Sequence, residues 1–488
     1  MKLVELADKS ILILGLGVEG RSTYEFLRST FPQKEIGIAD RRSRETLTAE
    51  NAPEKHDPME DIYARLHLGD GYLSSLFDYD IIVKTPGISA HVNQQILEAS
   101  RSGRTVTSHT ELFFANCPGR IVGVTGTKGK GTTSTLIFNM LKAAGVDAHL
   151  VGNVGRPPLP LLASATGSSI FIFEMSAQQL EHLHDSPHIA VLLNIVSDHL
   201  DHFATFEDYV SAKSNITRFQ SAEDYLVFNA MFPVPCRIAN DSRARLVPCS
   251  IEKPLEYGAF MEGDRVCWRP TAGDAETVLR AADVEEVLPG SFNLHNILPA
   301  VAVAKLLGVP ARQIADGLRQ FKPLAHRFDL LGTFKGIRFY NAPIATVPEV
   351  TIEHINALGG GVQTILLGGR DRSLDFTGLA DRILDSGIDT VILFPETGGR
   401  IREALSERAA GREKKARVPE LYSVKAADGA KAMEEAVRLA YIKTAPGRVC
   451  LHSPASSSFG LFRDYRERGE LFARFVREVA NESGEQPA

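Results

Sequence analysis

The stretch VTGTKGKGTTSTL, Val124 to Leu136, decides how the rest of the chain is read. It continues the apolar run Ile121–Val124, so it reads as a strand entering a glycine-rich turn, with a helix expected from 132 to 144. Such a junction suits phosphate, because backbone N–H groups of the turn and the positive end of the helix macrodipole point at one place. The general phosphate-loop pattern has four residues between its two glycines and a hydroxyl residue directly after Gly-Lys. Here Gly126 and Gly129 enclose two residues, and Gly131 follows Lys130. The physical parts survive: a strand, a turn rich in N–H groups, Lys130 for the β- and γ-phosphates, and Thr132 then Thr133 as the next hydroxyls available to a metal. The bland alternative is a surface turn rich in lysine, glycine and threonine.

Length and composition bound what surrounds this loop. A chain of 488 residues exceeds what one core accommodates, and at roughly 100–200 residues per domain it implies about three domains. No apolar run reaches the roughly 20 residues of a membrane span, so no membrane association is expected. The opening MKLVELADKSILILGLG carries acidic residues before its apolar part and a Gly-x-Gly inside it, which does not suit a secretory leader; the expected location is the cytosol. Cysteines 117, 236, 249, 267 and 450 are scattered and never in CxxC spacing, which fits reduced, buried thiols rather than a zinc site. A net charge of −6 offers no field for nucleic acid, so a phosphate ligand must be held by local groups.

Upstream, Ile11–Leu14, 35–39 and 79–83 read as strands alternating with helices at 21–28 and 92–101, a βαβ rhythm that ends near NCPGR at Asn116–Arg120. Downstream, 169–173, 190–194 and Tyr225–Asn229 are expected strands, 220–285 is turn-rich, and FKPL at 321–324 reads as a linker. A third alternating segment has expected strands at 364–367, 390–394 and Val449–His452, then a solvated tail from 480.

Further motifs carry chemistry. ILILGLGVEGRS is a strand followed by GxGxxG (Gly15, Gly17, Gly20), and Asp40 closes the next strand about 20 residues on, the spacing of a dinucleotide fingerprint. The motif alone leaves three readings open: NAD, another diphosphate, or a tight structural turn. FIFEMSAQQLE puts Glu174 at the end of an apolar strand, a usual place for a carboxylate that meets Mg2+. NIVSDHLDHF supplies Asp198, His199, Asp201 and His202, and YVSAKSNI supplies Lys213. Any one of these alone reads as ordinary surface chemistry; their combination with a phosphate loop and two strand ends does not.

The ordered run TGTKGKGTT, GNVGRP (Gly152–Pro157), EMSAQQLE, SDHLDH, YVSAK, GSFNLHN and HRFD (His326–Asp329) resembles the Mur ligase superfamily along essentially the whole chain. LLGGRDRSLDF (Leu366–Phe376) and HSPASSSFGLFRDYRERGELF (His452–Phe472) resemble the branch that adds glutamate to UDP-N-acetylmuramoyl-L-alanine. The resemblance implies an α/β fold in three domains: a Rossmann-like UDP-binding domain over 1–116, a central phosphate-loop ATPase over 117–323 and a Rossmann-like amino-acid domain over 324–488. It implies ATP, glutamate (the D enantiomer) and the UDP-linked muramoyl substrate as partners, two Mg2+ sites, and a monomer. Relatives with a GKG-then-hydroxyl loop make Thr132 the metal-facing residue, joined by Glu174, with His199 and a carbamylated Lys213 at the second metal.

By the same resemblance Gly126, Thr127, Lys128, Gly129, Lys130, Gly131, Thr132, Thr133, Asn296 and Arg327 serve ATP. Gly15, Leu16, Gly17, Asp40, Arg41, Pro86, Gly87, Asn153 and Ser176 serve the UDP substrate, with Asp40–Arg41 facing uracil. Thr346, Arg372, Ser458 and Phe462 serve glutamate. The chain departs from the family's pattern in NAPIATV (Asn341–Val347), where Ala342 replaces an acid, Pro343 removes a hydroxyl and an N–H, and Ile344 replaces a lysine, and in HNILP, where Pro299 replaces an asparagine. These departures keep two alternatives in view, a ligase for L-glutamate or another amino acid and a nucleotide-binding relative without turnover. An NAD-dependent oxidoreductase is the remote third, since it leaves Lys130, Glu174, His199 and Lys213 without a role.

Overall fold

Continuous apolar runs with both faces covered build the strands, as parallel sheets require. The computed structural model describes residues 1–49, 57–89, 93–198, 202–271, 273–288, 290–322, 328–412 and 418–482. Its first sheet contains β1 (Ile11–Leu14), β2 (Ile36–Asp40), β3 (Ala64–Leu68), β4 (Ile81–Lys84) and β5 (Thr105–Ser108). All are parallel, in the order β3-β2-β1-β4-β5. The chain leaves β1 toward β2 and returns on its other side at β4, a switch point where loops diverge and ligands bind. The first helix covers Val18–Thr30, longer at both ends than the expected 21–28, because Gly17 caps it and the glycine turn runs straight into it.

The second sheet holds β6 (Arg120–Thr125), β7 (Ala148–Gly152), β8 (Ile170–Glu174), β9 (Ile189–Leu192), β10 (Tyr225–Asn229), β11 (Arg245–Ser250), β12 (Gly258–Glu262), β13 (Arg265–Arg269) and β14 (Glu276–Arg280). Their order is β14-β13-β12-β11-β10-β9-β6-β8-β7, parallel as far as β12 and antiparallel through the last three. The turn-rich stretch 220–285 thus lengthens one side of the sheet with a short meander. One continuous core underlies both sheets. Phe113, on the helix His109–Asn116 between them, sets its ring edge-on to Phe171 of β8 at 5.1 Å. Each such fully buried ring contributes roughly 2–3 kcal/mol of transfer free energy. The first two sheets accordingly share one compact body, and the third sheet belongs to another.

The third sheet comprises β15 (Asp329–Phe334), β16 (Ile337–Asn341), β17 (Val362–Gly369), β18 (Thr390–Glu396), β19 (Glu420–Ser423) and β20 (Val449–His452). The order is β15-β16-β20-β17-β18-β19, with β15 antiparallel to β16 and the other pairs parallel. Its closing helix, Tyr465–Asn481, buries Phe472, Phe475 and Val476 in the core beneath β16 and β20. All five cysteines are free thiols. No single described helix is long and apolar enough to cross a membrane. Part of the FKPL linker and the tail beyond 482 lie outside the described residues.

Candidate active site

In the second sheet β6 lies between β8 and β9, with Val124 beside Glu174 and Thr125 beside Leu192, while Gly152 of β7 flanks Glu174 from the far side. Four strands therefore end together, and the glycine-rich loop leaves from the middle one. The helix after it begins at Lys130, two residues before the sequence expectation, because a first helical turn needs no internal N–H partners and accepts Gly131 there. Gly129, at φ 86°, takes the left-handed conformation before the helix, and a Cβ on it would stand 2.1 Å from Asn296 Oδ1. Strand β9 stops at Leu192, short of the expected 194, because the next residues fold over the loop. Leu193 N–H donates to Thr125 O (3.0 Å), and Asn194 accepts Thr127 N–H on its carbonyl (2.7 Å) and Lys128 N–H on Oδ1 (3.1 Å).

The Thr127 hydroxyl accepts from Val196 N–H (3.0 Å) and lies 3.2 Å from the Tyr209 hydroxyl. Thr127 and the Lys128 backbone thus fasten the loop from beneath, which leaves the open side to Gly129, Gly131 and Thr132. Lys130 curls back over the loop, its Nζ donating to Gly126 O and Thr127 O, both at 3.0 Å. Lys213, fully buried on the helix Phe206–Arg218, reaches the same carbonyl: its Nζ donates to Gly126 O (2.9 Å) and Thr125 Oγ1 (3.3 Å) and sits 4.8 Å over the Tyr209 ring. Two ammonium groups on one carbonyl oxygen repel each other unless an anion lies between them or one loses its charge.

Glu174 is buried, and its Oε2 has no hydrogen-bond partner. A buried carboxylate oxygen without a donor is costly, and a cation is the simplest group to satisfy it. Thr132, buried in the first helical turn, and Glu174 both belong to this cluster of strand ends, so the donor set fits a hard, oxygen-seeking ion that also uses ligand phosphates. Thr133 sits one position deeper, its hydroxyl 3.4 Å from Asn296 O, and Asn296 is oriented by Asn293, whose Oδ1 accepts from its Nδ2 (3.1 Å). Pro299 is buried inside the helix Leu294–Leu306 that carries Asn296. His199 and Arg327 lie outside the described residues.

The first glycine turn has different surroundings. Gly20 lies so close to the turn that a Cβ would stand 2.0 Å from Gly15 O. Asp40, expected to face a ligand, is buried and braced. Its Oδ2 accepts from Leu16 N–H (2.8 Å) and Arg42 Nη2 (2.7 Å), and its Oδ1 accepts from Arg42 N–H and Nε (both 2.9 Å). Burial pushes its pKa upward, but these donors prevail and hold it below the usual carboxylate range. With both oxygens engaged, Asp40 has little left for ribose hydroxyls, which removes the support for NAD. Arg41 is exposed.

Pro86 lines a cleft with Lys84, Thr107, Ser108, Gln178 and Gln179, and Gly87 follows it at the surface. Across from it Ser176 caps the helix Ala177–Leu180: its Oγ accepts from Gln179 N–H (3.2 Å), while Gln179 Oε1 accepts from Ser176 N–H (2.8 Å). Asn153 is exposed just after β7, its N–H toward Glu174 O at 3.5 Å.

In the third sheet the remaining sequence candidates follow three adjacent strands: Thr346 after β16, Ser458 and Phe462 after β20, and Arg372 after β17. Phe462 N–H donates to Ser458 O (3.0 Å), and its ring meets Phe394 edge-on at 6.0 Å. Arg468, unsuspected from sequence, ties these loops from behind. Fully buried, it donates from Nη1 to Ser456 O (3.0 Å) and from Nη2 to Pro343 O (2.6 Å), and burial pushes its pKa down to about 9. Ser373 and Ala455, both at φ 56°, are strained non-glycine positions on these same loops.

Fold and site define an α/β phosphate-loop protein with three sheets. Residues 124–304 match the family model described as the Mur ligase middle domain. A UDP-N-acetylmuramoylalanine--D-glutamate ligase from Symbiobacterium thermophilum is 34% identical over 479 residues, covering 98% of this chain and 99% of the relative. Two solved structures share the fold. The UDP-N-acetylmuramate-alanine ligase of Thermotoga maritima has TM-score 0.58 and 16% identity, with 96% of this chain and 100% of that one covered. The MurF ligase of Thermotoga maritima, in complex with ADP, has TM-score 0.55 and 18% identity, with 98% of each chain covered. The chain belongs to the Mur ligase family, in the branch of the UDP-N-acetylmuramoylalanine--D-glutamate ligases.

Proposed function

We propose that this protein is an ATP-dependent ligase that joins D-glutamate to UDP-N-acetylmuramoyl-L-alanine in cytoplasmic peptidoglycan precursor synthesis, acting as a monomer. The observation that carries the reading is the convergence of Lys130 and Lys213 on the Gly126 carbonyl beside the unpartnered oxygen of Glu174. That arrangement suits a site that takes triphosphate oxygens at the lysines and a divalent cation at the carboxylate. Domain limits of 1–116, 117–323 and 324–488 accompany the reading.

A carboxylate is a poor acyl donor. Its oxygen attacks the γ-phosphorus of ATP and ADP leaves, giving an acyl phosphate; the glutamate amine then adds to the carbonyl carbon, sheds a proton, and phosphate departs. Both steps crowd negative charge. The N–H groups of Gly129, Gly131 and Thr132 and the Lys130 ammonium are the groups of this chain that stabilise that charge. Thr132 and Glu174 would hold one Mg2+, and His199 with a carbamylated Lys213 the second; bound there, Mg2+ acts as a Lewis acid on phosphate oxygens. Carbamylation would turn the Lys213 cation into an oxygen ligand and relieve its repulsion with Lys130.

Asn296 and Arg327 orient the nucleotide. Gly15, Leu16, Gly17 and the Asp40–Arg41 corner take the UDP moiety, with Pro86 and Gly87 beside it. Asn153 and Ser176 face the muramoyl group, and Thr346, Arg372, Ser458 and Phe462 form the glutamate pocket. The test is phosphate release from ATP and Mg2+ with UDP-N-acetylmuramoyl-L-alanine, supplied with D-Glu or L-Glu. Release with D-Glu alone is expected. Release with neither, while ATP still binds, would overturn the reading in favour of a relative without turnover.

A further inference from the structure

Glu19 stands in the first turn of the helix Val18–Thr30, two residues beyond Gly17, where the helix macrodipole and the glycine turn attract an anion. Its carboxylate is turned inward. Oε1 accepts from Nε2 of Gln179 at 2.5 Å, across to the second sheet's capping box, and Oε2 is buried with no hydrogen-bond partner. The groups around it are few. Lys84 of β4 faces it, but is itself buried and donates to Ile88 O at 2.8 Å. Behind Lys84 lie Glu111 and Glu181, and Glu181 is shared by His202 (3.1 Å) and His182 (3.7 Å). His109, which burial keeps neutral with a pKa near 3, contacts Thr23 Oγ1 at 2.9 Å, and Thr23 in turn bonds the Glu19 carbonyl at 2.7 Å. Arg21, on the same helix, is engaged with Leu47 O.

A buried acid therefore stands in the first helical turn beside the glycine turn that, on the reading above, receives the diphosphate. We propose that Glu19 couples the UDP-linked substrate to proton uptake: the diphosphate binds the form of the protein in which Glu19 carries a proton, and a solvent proton goes to its carboxylate when that form is not already present. The inference rests on the reading of this loop as the UDP-substrate site and adds a condition on it. Burial, the largest influence, pushes the Glu19 acid up to about 7 against the pull of Gln179 and Lys84, so the carboxylate ionises in the neutral range. A diphosphate beside it disfavours ionisation further. Affinity for the UDP substrate then falls as pH rises above about 7, by up to about tenfold per pH unit, whereas affinity for ATP at the separate central loop does not follow.

The experiment uses the full-length protein. Calorimetric titration with UDP-N-acetylmuramoyl-L-alanine near pH 7.5, in two buffers of different ionisation enthalpy, gives the protons taken up, and KM for that substrate is followed from about pH 6 to about pH 8.5. Net proton uptake is expected, with KM rising several-fold toward high pH and kcat changing less. Glu19→Gln, which keeps the acceptor for Gln179 but cannot ionise, should abolish the uptake and flatten the KM profile. Uptake of no protons by the unaltered protein overturns the proposal without any variant, and so does an unchanged profile in Glu19→Gln. Absence of any binding overturns the functional reading as well, whereas pH-independent binding overturns only the role of Glu19.

Discussion

The two glycine-rich turns, after β1 and after β6, share a plan and differ in charge. Each leaves a central strand at a switch point, uses glycine where a side chain would collide at about 2 Å, and runs into a helix of 13 or 14 residues. Around the first, two acids each have a cation beside them: Asp40 holds the Leu16 N–H and is bonded by Arg42, and Glu19 in the opening helical turn faces Lys84. Around the second stand two lysines on one carbonyl, with Glu174 opposite. Backbone geometry thus makes an anion site, while side chains brought from distant segments set what it can do. On the proposed function, the first would hold a diphosphate without reacting it, and the second would withstand the charge of a phosphoryl transfer.

The largest effect expected from this contrast is on Lys130. Lys130→Ala should lower substrate-dependent phosphate release by on the order of a thousandfold or more, a far larger effect than its effect on the thermal midpoint. Loss of less than tenfold would mean that the two loops are not distinguished by charge. Next come the glycines. Gly20→Ala drives a Cβ into the Gly15 carbonyl, a backbone atom that cannot step aside, and should cost about 3 kcal/mol in urea denaturation. Gly129→Ala meets the movable Asn296 side chain but must hold φ 86°, so a cost of about 1–2 kcal/mol with loss of ATP binding is expected. The reverse ranking would show that the second loop, not the first, is the more tightly framed.

The smallest effect concerns Asp40. Its folded pKa is depressed, so its contribution to stability is complete above the unfolded carboxylate value and disappears as pH falls through the folded one. Asp40→Asn should therefore cost about 1 kcal/mol at neutral pH and nothing in strong acid, as read from denaturation at a series of pH values. A cost independent of pH would assign Asp40 a packing role only.

Much of this was legible because it is local. The runs Ile11–Leu14, Tyr225–Asn229 and Val449–His452 form strands with the expected limits, since apolar continuity has one solution in a parallel sheet. Glu174 stands at a strand end as expected, and Lys213 meets the loop that the order of motifs associates with it. The helix starts at Lys130, two residues before the expected 132, because a helix's first turn tolerates Gly131. The partners of Glu19 and Arg468 were not legible at all. Gln179 lies 160 positions from Glu19, Pro343 lies 125 from Arg468, and no periodicity carries such a pairing. Ser176 and Gln179 form a reciprocal helix cap, and only the fold gives that glutamine its second partner, Glu19.

Arg468 has a bearing on how selectivity drifts between related enzymes. It grips the Ala342–Thr346 and Ser456–Ser458 loops by main-chain oxygens, which every amino acid supplies. Ala342 N–H likewise donates to the His452 carbonyl (2.8 Å). These bonds do not depend on which side chains the loops carry, although Ala342 and Pro343 are themselves buried; Ile344, only half-buried, is the position of the three where a substitution disturbs the frame least. Natural selection can rewrite what the loops recognise while inheriting the shape of the cradle unaltered.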